Sequence, residues 1–351
     1  MGRLWRFLTL DTIPTSTDGI RSTNPLRVRV TRGGSVESVH LVSFCIVDAT
    51  GVVLKHQGEI ESPVFLRSAA KPLIATALIR AGATKTAGLT SQEIAIASGS
   101  HWGQALHLEC IEGLLARNGL SESALLCGAT APKDEAAAHR IIRAGSSFLP
   151  IHNNCSGQHA ALACFASTFP DEVPYIESSH PIHAALDRII QRIFRLDVDA
   201  APKGVDGCGL PTLAFSLRDT ARAFALFSHP SAFRSEDAEA IETVTHAMTE
   251  HPEYVGGGGS FDTALMRASP DILSKSGAEA FYSATVMSKH CGIAVKVHDG
   301  SPRALPVAIR SILEWLGACD ERTSRAIEPF LGPIRNASGA AVGNYEVLAS
   351  D

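Results

Sequence analysis

The sequence predicts an α+β fold: an antiparallel sheet flanked by helices, with a helical subdomain inserted between its strands. Three observations lead there. Strand patterns stand near both ends of the chain, helical patterns fill the middle, and no internal repeat divides it. Hydrophobic residues make up 45% and charged residues 19% of the 351 positions, enough to bury a large core and to exclude a disordered chain, a collagen or a long coiled coil.

Residues 1–25 carry Pro14, Gly19 and Pro25 without periodicity and read as an irregular N-terminal extension, so the domain spans 26–351. Residues 26–30 alternate. Residues 39–47 and 52–54 flank the turn Asp48-Ala49-Thr50-Gly51, a hairpin signal. The spacing then predicts a helix over 68–81, with Pro72 in its tolerant first turn. Thr90 and Glu93 form a capping-box pattern, and a helix over 104–117 stops at Asn118-Gly119. Further helices are expected over 134–143, 159–167, 182–194, 212–227, 235–250 and 305–316. A second hairpin pairs 281–287 with 293–297.

Lys plus Arg number 31 against 36 Asp plus Glu, a formal charge of −5, which offers no electrostatic footprint for nucleic acid. Asp11 breaks the early apolar run, and no stretch approaches the length of a membrane span, so a cytoplasmic protein without a membrane partner is expected. The eight cysteines lack C-x-x-C spacing and the density of a disulfide scaffold, which also suits a reducing compartment. Cys45, Cys110, Cys164, Cys291 and Cys319 read as small buried hydrophobes.

Chemistry concentrates in a few segments. In Arg67-Ser68-Ala69-Ala70-Lys71-Pro72, residues three apart share a helix face, so the Lys71 amine can reach the Ser68 hydroxyl. A lysine desolvated in that Ala-rich setting is a usable base, and the Ser68 backbone N–H at a helix start can hold an oxyanion. Ser98-Gly99-Ser100-His101 follows a short helix, and Lys275-Ser276-Gly277 precedes the 281–287 strand. Ser-x-x-Lys, a loop serine and Lys-Ser-Gly, in that order, is the arrangement of the serine β-lactamase and penicillin-binding fold. Cys155 in Asn153-Asn154-Cys155-Ser156-Gly157-Gln158-His159 and Cys208 in Gly204-Val205-Asp206-Gly207-Cys208-Gly209 are open either to a metal, with His152 or His159 as nitrogen donors, or to substrate contact.

Together these blocks resemble the thermolabile, Rhizobium-type L-asparaginase family, a group with a serine β-lactamase-like fold. The resemblance also draws on Val30-Thr31-Arg32-Gly33-Gly34-Ser35-Val36-Glu37-Ser38, on Ser100-His101-Trp102-Gly103 with His107, and on Phe261-Asp262-Thr263-Ala264-Leu265-Met266 and Lys275-Ser276-Gly277-Ala278-Glu279. It implies two catalytic pairs, Ser68 with Lys71 and Ser100 with Lys275. It further implies a homodimer, and a zinc or substrate-side site with Cys155 and Cys208 as ligands and Asp206 close by. No cofactor is required for the serine chemistry. Three departures stand out: Gln158 where the family has a lysine, Gln104 for the glutamate of the Ser-His motif, and Ala280 for a glycine.

The function expected is therefore amide hydrolysis, with L-asparagine giving L-aspartate and ammonia. Arg67, His101, Asp206 and Gly277 are candidate substrate contacts. Two alternatives stand beside it: a serine acyltransferase or esterase on the same fold, which Gln104 and Gln158 favour, and a non-catalytic binding protein, which the presence of both Lys71 and Lys275 disfavours. Length alone leaves room for two domains. The need for Ser68 and Lys275 in one cavity makes it a single interleaved domain.

Overall fold

The run Ser35–Asp48 is long and β-branched enough to pair on both edges, and it organises the main sheet. In the computed structural model, which describes residues 21–170 and 173–348, the sheet runs Arg21–Ser22, Val53–Gln57, Ser35–Asp48, Cys291–Val297, Phe281–Val286, Ile272–Ser276. Leu26–Arg32 pairs with the first half of Ser35–Asp48 and carries Tyr345–Leu348 on its other edge. Neighbours are antiparallel except Arg21–Ser22, which lies parallel to His56 and Gln57. Both expected hairpins form. Of the expected extension, residues 1–20 lie outside the described residues, and its last part is not irregular, because Arg21–Ser22 takes up the open edge of Val53–Gln57.

The central strands are buried on both faces because helices cover both. On one face Tyr282, Ile293 and Val295 pack with Leu305, Ile309 and Leu313 of the helix Leu305–Trp315. On the other, Phe281 and Ala294 join the larger core, which runs into the helical subdomain. The helix Leu217–Ala225 lies directly on this face. Gly292 permits the approach, since a Cβ there would stand 2.0 Å from the Ala221 carbonyl oxygen.

Lys71–Arg80, Ser91–Ala97, Ala105–Arg117, Ser156–Ala166, Pro181–Phe194 and Ser235–Glu250 form the helical subdomain, with the Thr90/Glu93 capping box in place. The expected helix over 212–227 is a correction. Pro211–Phe215 is a strand, paired with Lys203–Val205 and Val64–Phe65, and the helix begins only at Leu217, after Ser216 accepts a hydrogen bond from the Asp219 N–H at 2.9 Å. Short apolar runs suit either state, and here two strand partners decide it. The helix expected from 159 begins earlier, at Ser156. Cys45, Cys164 and Cys291 are buried, whereas Cys110 and Cys319 are half-buried.

Candidate active site

Ser68 lies where the chain leaves the strand Val64–Phe65, turns through the short 3-10 segment Arg67–Ala70 and enters the helix Lys71–Arg80. Arg67 takes a left-handed backbone, φ +52°, which a residue with a Cβ adopts only under constraint. The constraint is visible: the Arg67 guanidinium grips Asp206, Nε and Nη2 lying 2.8 and 2.7 Å from Oδ1. Asp206 also accepts the Gly207 N–H, which holds the loop bearing Cys208 against the Ser68 turn. Lys71 is buried, and its Nζ donates to the Gly99 carbonyl at 2.7 Å.

That contact joins the first pair to the second. Ser100 follows the helix Ser91–Ala97, and its N–H donates to the Val255 carbonyl at 2.7 Å. Its Oγ is buried and has no hydrogen-bond partner among the described residues. Lys275 projects from the edge strand Ile272–Ser276, is fully buried and donates to the Ser276 carbonyl at 2.6 Å. Burial pushes its amine down to about 7; the Lys71 and Lys133 charges push the same way, against the opposing pull of Asp262. Among the described residues neither serine hydroxyl bonds its lysine; each amine donates to a backbone carbonyl. Such contacts commonly tighten only in the substrate complex.

Gly277 closes the assembly. A Cβ there would stand 2.7 Å from the Leu66 carbonyl oxygen and 3.2 Å from the Ala69 nitrogen, so the Lys275 strand is seated on the turn that carries Ser68. Asp262 braces the same strand, accepting Ser274 Oγ at 2.6 Å on one oxygen and the Ser276 N–H and Oγ at 2.9 and 2.6 Å on the other.

His101 is fully buried, and both ring nitrogens are engaged: Nδ1 accepts the Gly103 N–H, and Nε2 meets Ser156 Oγ at 2.8 Å. Burial, then His107 and the Lys71 and Lys133 charges, hold its pKa well below the ordinary histidine range, so the ring is neutral. Its polar atoms serve the loop, not the cavity. Lys133 is a residue that sequence reasoning missed. Asp134 N–H donates to the Trp102 carbonyl at 2.9 Å, and the Gln104 amide donates to Asp134 at 2.8 Å, tying the Lys133 loop to the Ser100 loop. Although part of Lys133 is exposed, burial around its amine and then the Lys71 ammonium lower its pKa. No local pattern around Pro132-Lys133-Asp134 signals this, because the proximity is tertiary.

Cys155 and Cys208 are buried, with free thiols. The neighbouring Cys208 thiol and then the Lys71 amine pull Cys155 well below the usual thiol range, while Cys155 and burial raise Cys208. A resident zinc takes three or four nitrogen, sulfur or oxygen ligands. Here two thiols stand without a third. Asp206 is held by Arg67, His159 Nδ1 meets the Tyr175 hydroxyl at 2.8 Å, and among the described residues no three His, Cys, Asp or Glu side chains converge. The residues present do not fit the zinc that the resemblance implies.

A cavity of about 130 Å³ opens beside this cluster, its wall including Arg67, Ser68, Lys71, Gln158, Asp206 and Cys208. Ser100 and Lys275 are not part of that wall.

The family model for L-asparaginase II matches residues 28–347, a span that contains every one of these side chains. The chain belongs to the L-asparaginase II family. As a member of that family it is an amidohydrolase with a serine β-lactamase-like fold built on an antiparallel sheet. Solved structures similar to this L-asparaginase II chain include the Bacillus subtilis glutaminase YbgJ in covalent complex with 5-oxo-L-norleucine, at 10% identity and a TM-score of 0.36, covering 79% of this chain and 88% of that one. A second structure, described as a probable glutaminase of Bacillus subtilis, aligns at 11% identity and a TM-score of 0.38, covering 79% and 88% of the two chains. No curated protein matches. Among the described residues no helix is long and apolar enough to cross a membrane.

Proposed function

We propose that the chain hydrolyses the side-chain amide of L-asparagine, with Ser68 as nucleophile and Lys71 as its base. One observation carries the assignment: Ser68 and Lys71 line the open cavity, whereas the Ser100 hydroxyl is buried outside its wall. Lys71, once its own proton has passed to Lys275, takes the Ser68 proton as Oγ attacks the amide carbon, and the Ser68 backbone N–H supports the oxyanion. The proton then passes to the amide nitrogen, the C–N bond breaks, and ammonia leaves an aspartyl ester on Ser68. Water attacks that ester and releases aspartate. Ser100 and Lys275 act as a relay: the Ser100 hydroxyl and a neutral Lys275 amine accept the proton that leaves Lys71. Arg67 positions Ser68 through its grip on Asp206.

Ammonia release from asparagine by two variants tests this. Ser68→Ala is expected to lose on the order of 10⁴-fold or more in kcat, and Ser100→Ala about 10²- to 10³-fold. Full activity in both variants would remove the mechanism; a larger loss in Ser100→Ala would reverse the roles of the serines.

A further inference from the structure

The wall of the cavity beside Ser68 carries the charged side chains Arg67, Lys71, Asp187, Lys203 and Asp206. Three of these are already engaged. Arg67 and Asp206 hold each other, Asp206 also accepts the Gly207 N–H, and Lys71 donates to the Gly99 carbonyl beside the serine it serves. Asp187 and Lys203 remain. Among the described residues neither side chain makes a hydrogen bond or an ion pair, with the other or with any third group. They reach the cavity from two different elements. Asp187 stands on the helix Pro181–Phe194, which packs against Lys71–Arg80, and it follows His183 by one turn on the same face. Lys203 opens the strand Lys203–Val205 and pairs with Leu213, whose carbonyl accepts the Leu66 N–H at 3.2 Å, next to the Ser68 turn. Ser178 and Thr212 add polar atoms to the same wall. Asp187 is half-buried, whereas Lys203 is exposed. Burial raises the pKa of Asp187; the Lys203 charge opposes this and Asp199 adds to it. A carboxylate partly removed from water without a donor is costly until a ligand supplies the positive charge.

We propose that Asp187 receives the α-ammonium group of the amino-acid substrate and Lys203 faces its α-carboxylate, so that this pair selects a free zwitterionic head group. The inference rests on the Ser68/Lys71 reading above and deepens it. Asparagine carries one positive and one negative group on its α-carbon, with the amide carbon one methylene away. Ser68 and Lys71 take the amide, and the head group then needs two charges of opposite sign in the same cavity. Arg67 and Asp206 would have to break their own pair to serve it. Asp187 and Lys203 have no such pair to break, so binding gains charge-assisted hydrogen bonds without losing any. Asp187 is the more buried of the two and carries more of the selectivity, because an exposed lysine gains little from a single ion pair. Neither residue takes part in the bond-making steps.

The test measures kcat and KM for L-asparagine, for succinamic acid, which lacks the α-ammonium group, and for 3-aminopropanamide, which lacks the α-carboxylate. Where an analogue is not turned over, its inhibition constant against L-asparagine takes the place of kcat/KM. Asp187→Asn removes the charge and keeps the shape. It is expected to raise KM for L-asparagine about 10- to 100-fold with little change in kcat, and to leave succinamic acid unaffected. Lys203→Met is expected to raise KM for L-asparagine about fivefold and to spare 3-aminopropanamide. Thermal unfolding of both variants confirms that they fold. An unchanged KM for L-asparagine in either variant would overturn this inference and leave the asparaginase reading standing. So would an equal loss on the analogue that lacks the matching group, which would mark a structural role instead. Failure of the unaltered chain to hydrolyse L-asparagine would remove both readings.

Discussion

Gly277→Ala perturbs the joint between the two halves of the site by one methyl group. The backbone φ of Gly277 lies outside the left-handed region, so alanine brings no torsional strain and the effect is spatial. The new Cβ would stand 2.7 Å from the Leu66 carbonyl oxygen, 3.2 Å from the Ala69 nitrogen and 3.3 Å from the Ala69 Cβ. Two of these neighbours are backbone and the third is fixed to it, so none can rotate away. Restoring ordinary contact moves the Lys275 strand and the Ser68 turn apart by roughly half an ångström, and misplacement on the order of 1 Å costs about 10²-fold in rate. We therefore expect kcat/KM for asparagine to fall by about 10- to 100-fold, or ~1.4–2.8 kcal/mol of transition-state stabilisation. Overpacking of about 1–3 kcal/mol should also lower Tm. The assay is steady-state ammonia release beside a thermal melt. Gly207→Ala serves as the control: it lies in the Asp206 loop, but its Cβ would meet nothing within 4 Å. Activity of Gly277→Ala within twofold of the wild type would refute the view that this docking sets the catalytic geometry.

The pH profile follows from Lys275, whose amine must be neutral to relay a proton and is pushed down to about 7 by burial. Activity should therefore rise with pH through about 7 and level off above it. Asp262 raises that value, so Asp262→Asn should shift the acid limb of kcat/KM to lower pH, and an unmoved or upward-shifted limb would count against the relay. For the thiol pair, metal analysis of protein purified without chelator should find well under one zinc per chain. Gln158→His, which adds a nitrogen donor to the wall shared with Cys208, should raise the content toward about one. A full equivalent of zinc in the unaltered chain would show that a ligand set exists after all.

How much of this is legible in the sequence depends on the range of the interaction that creates each feature. Ser68 and Lys71 are readable because three residues on a helix start fix their relation locally, and the Thr90/Glu93 cap is readable for the same reason. Residues 212–215 are misread as helix because a short apolar run holds no information about Lys203–Val205 and Val64–Phe65, the strands that claim it. The site shows the same division. The Lys275-Ser276-Gly277 block is recognisable as a motif, yet the reason for its glycine lies in the Leu66 carbonyl, far away in the chain. Asp262 stands in a matched block, but its hold on Ser274 and Ser276 exists only once the helix Phe261–Ala268 lies against the edge strand. Lys133 carries no signal at all and enters through the packing of one loop on another. Burial in the assembled site, with the Lys71 and Lys133 charges from two other segments adding to it against Asp262, keeps Lys275 able to give up its proton near neutral pH. Reactive groups can be nominated from local sequence; the fold supplies the field that makes one of them reactive.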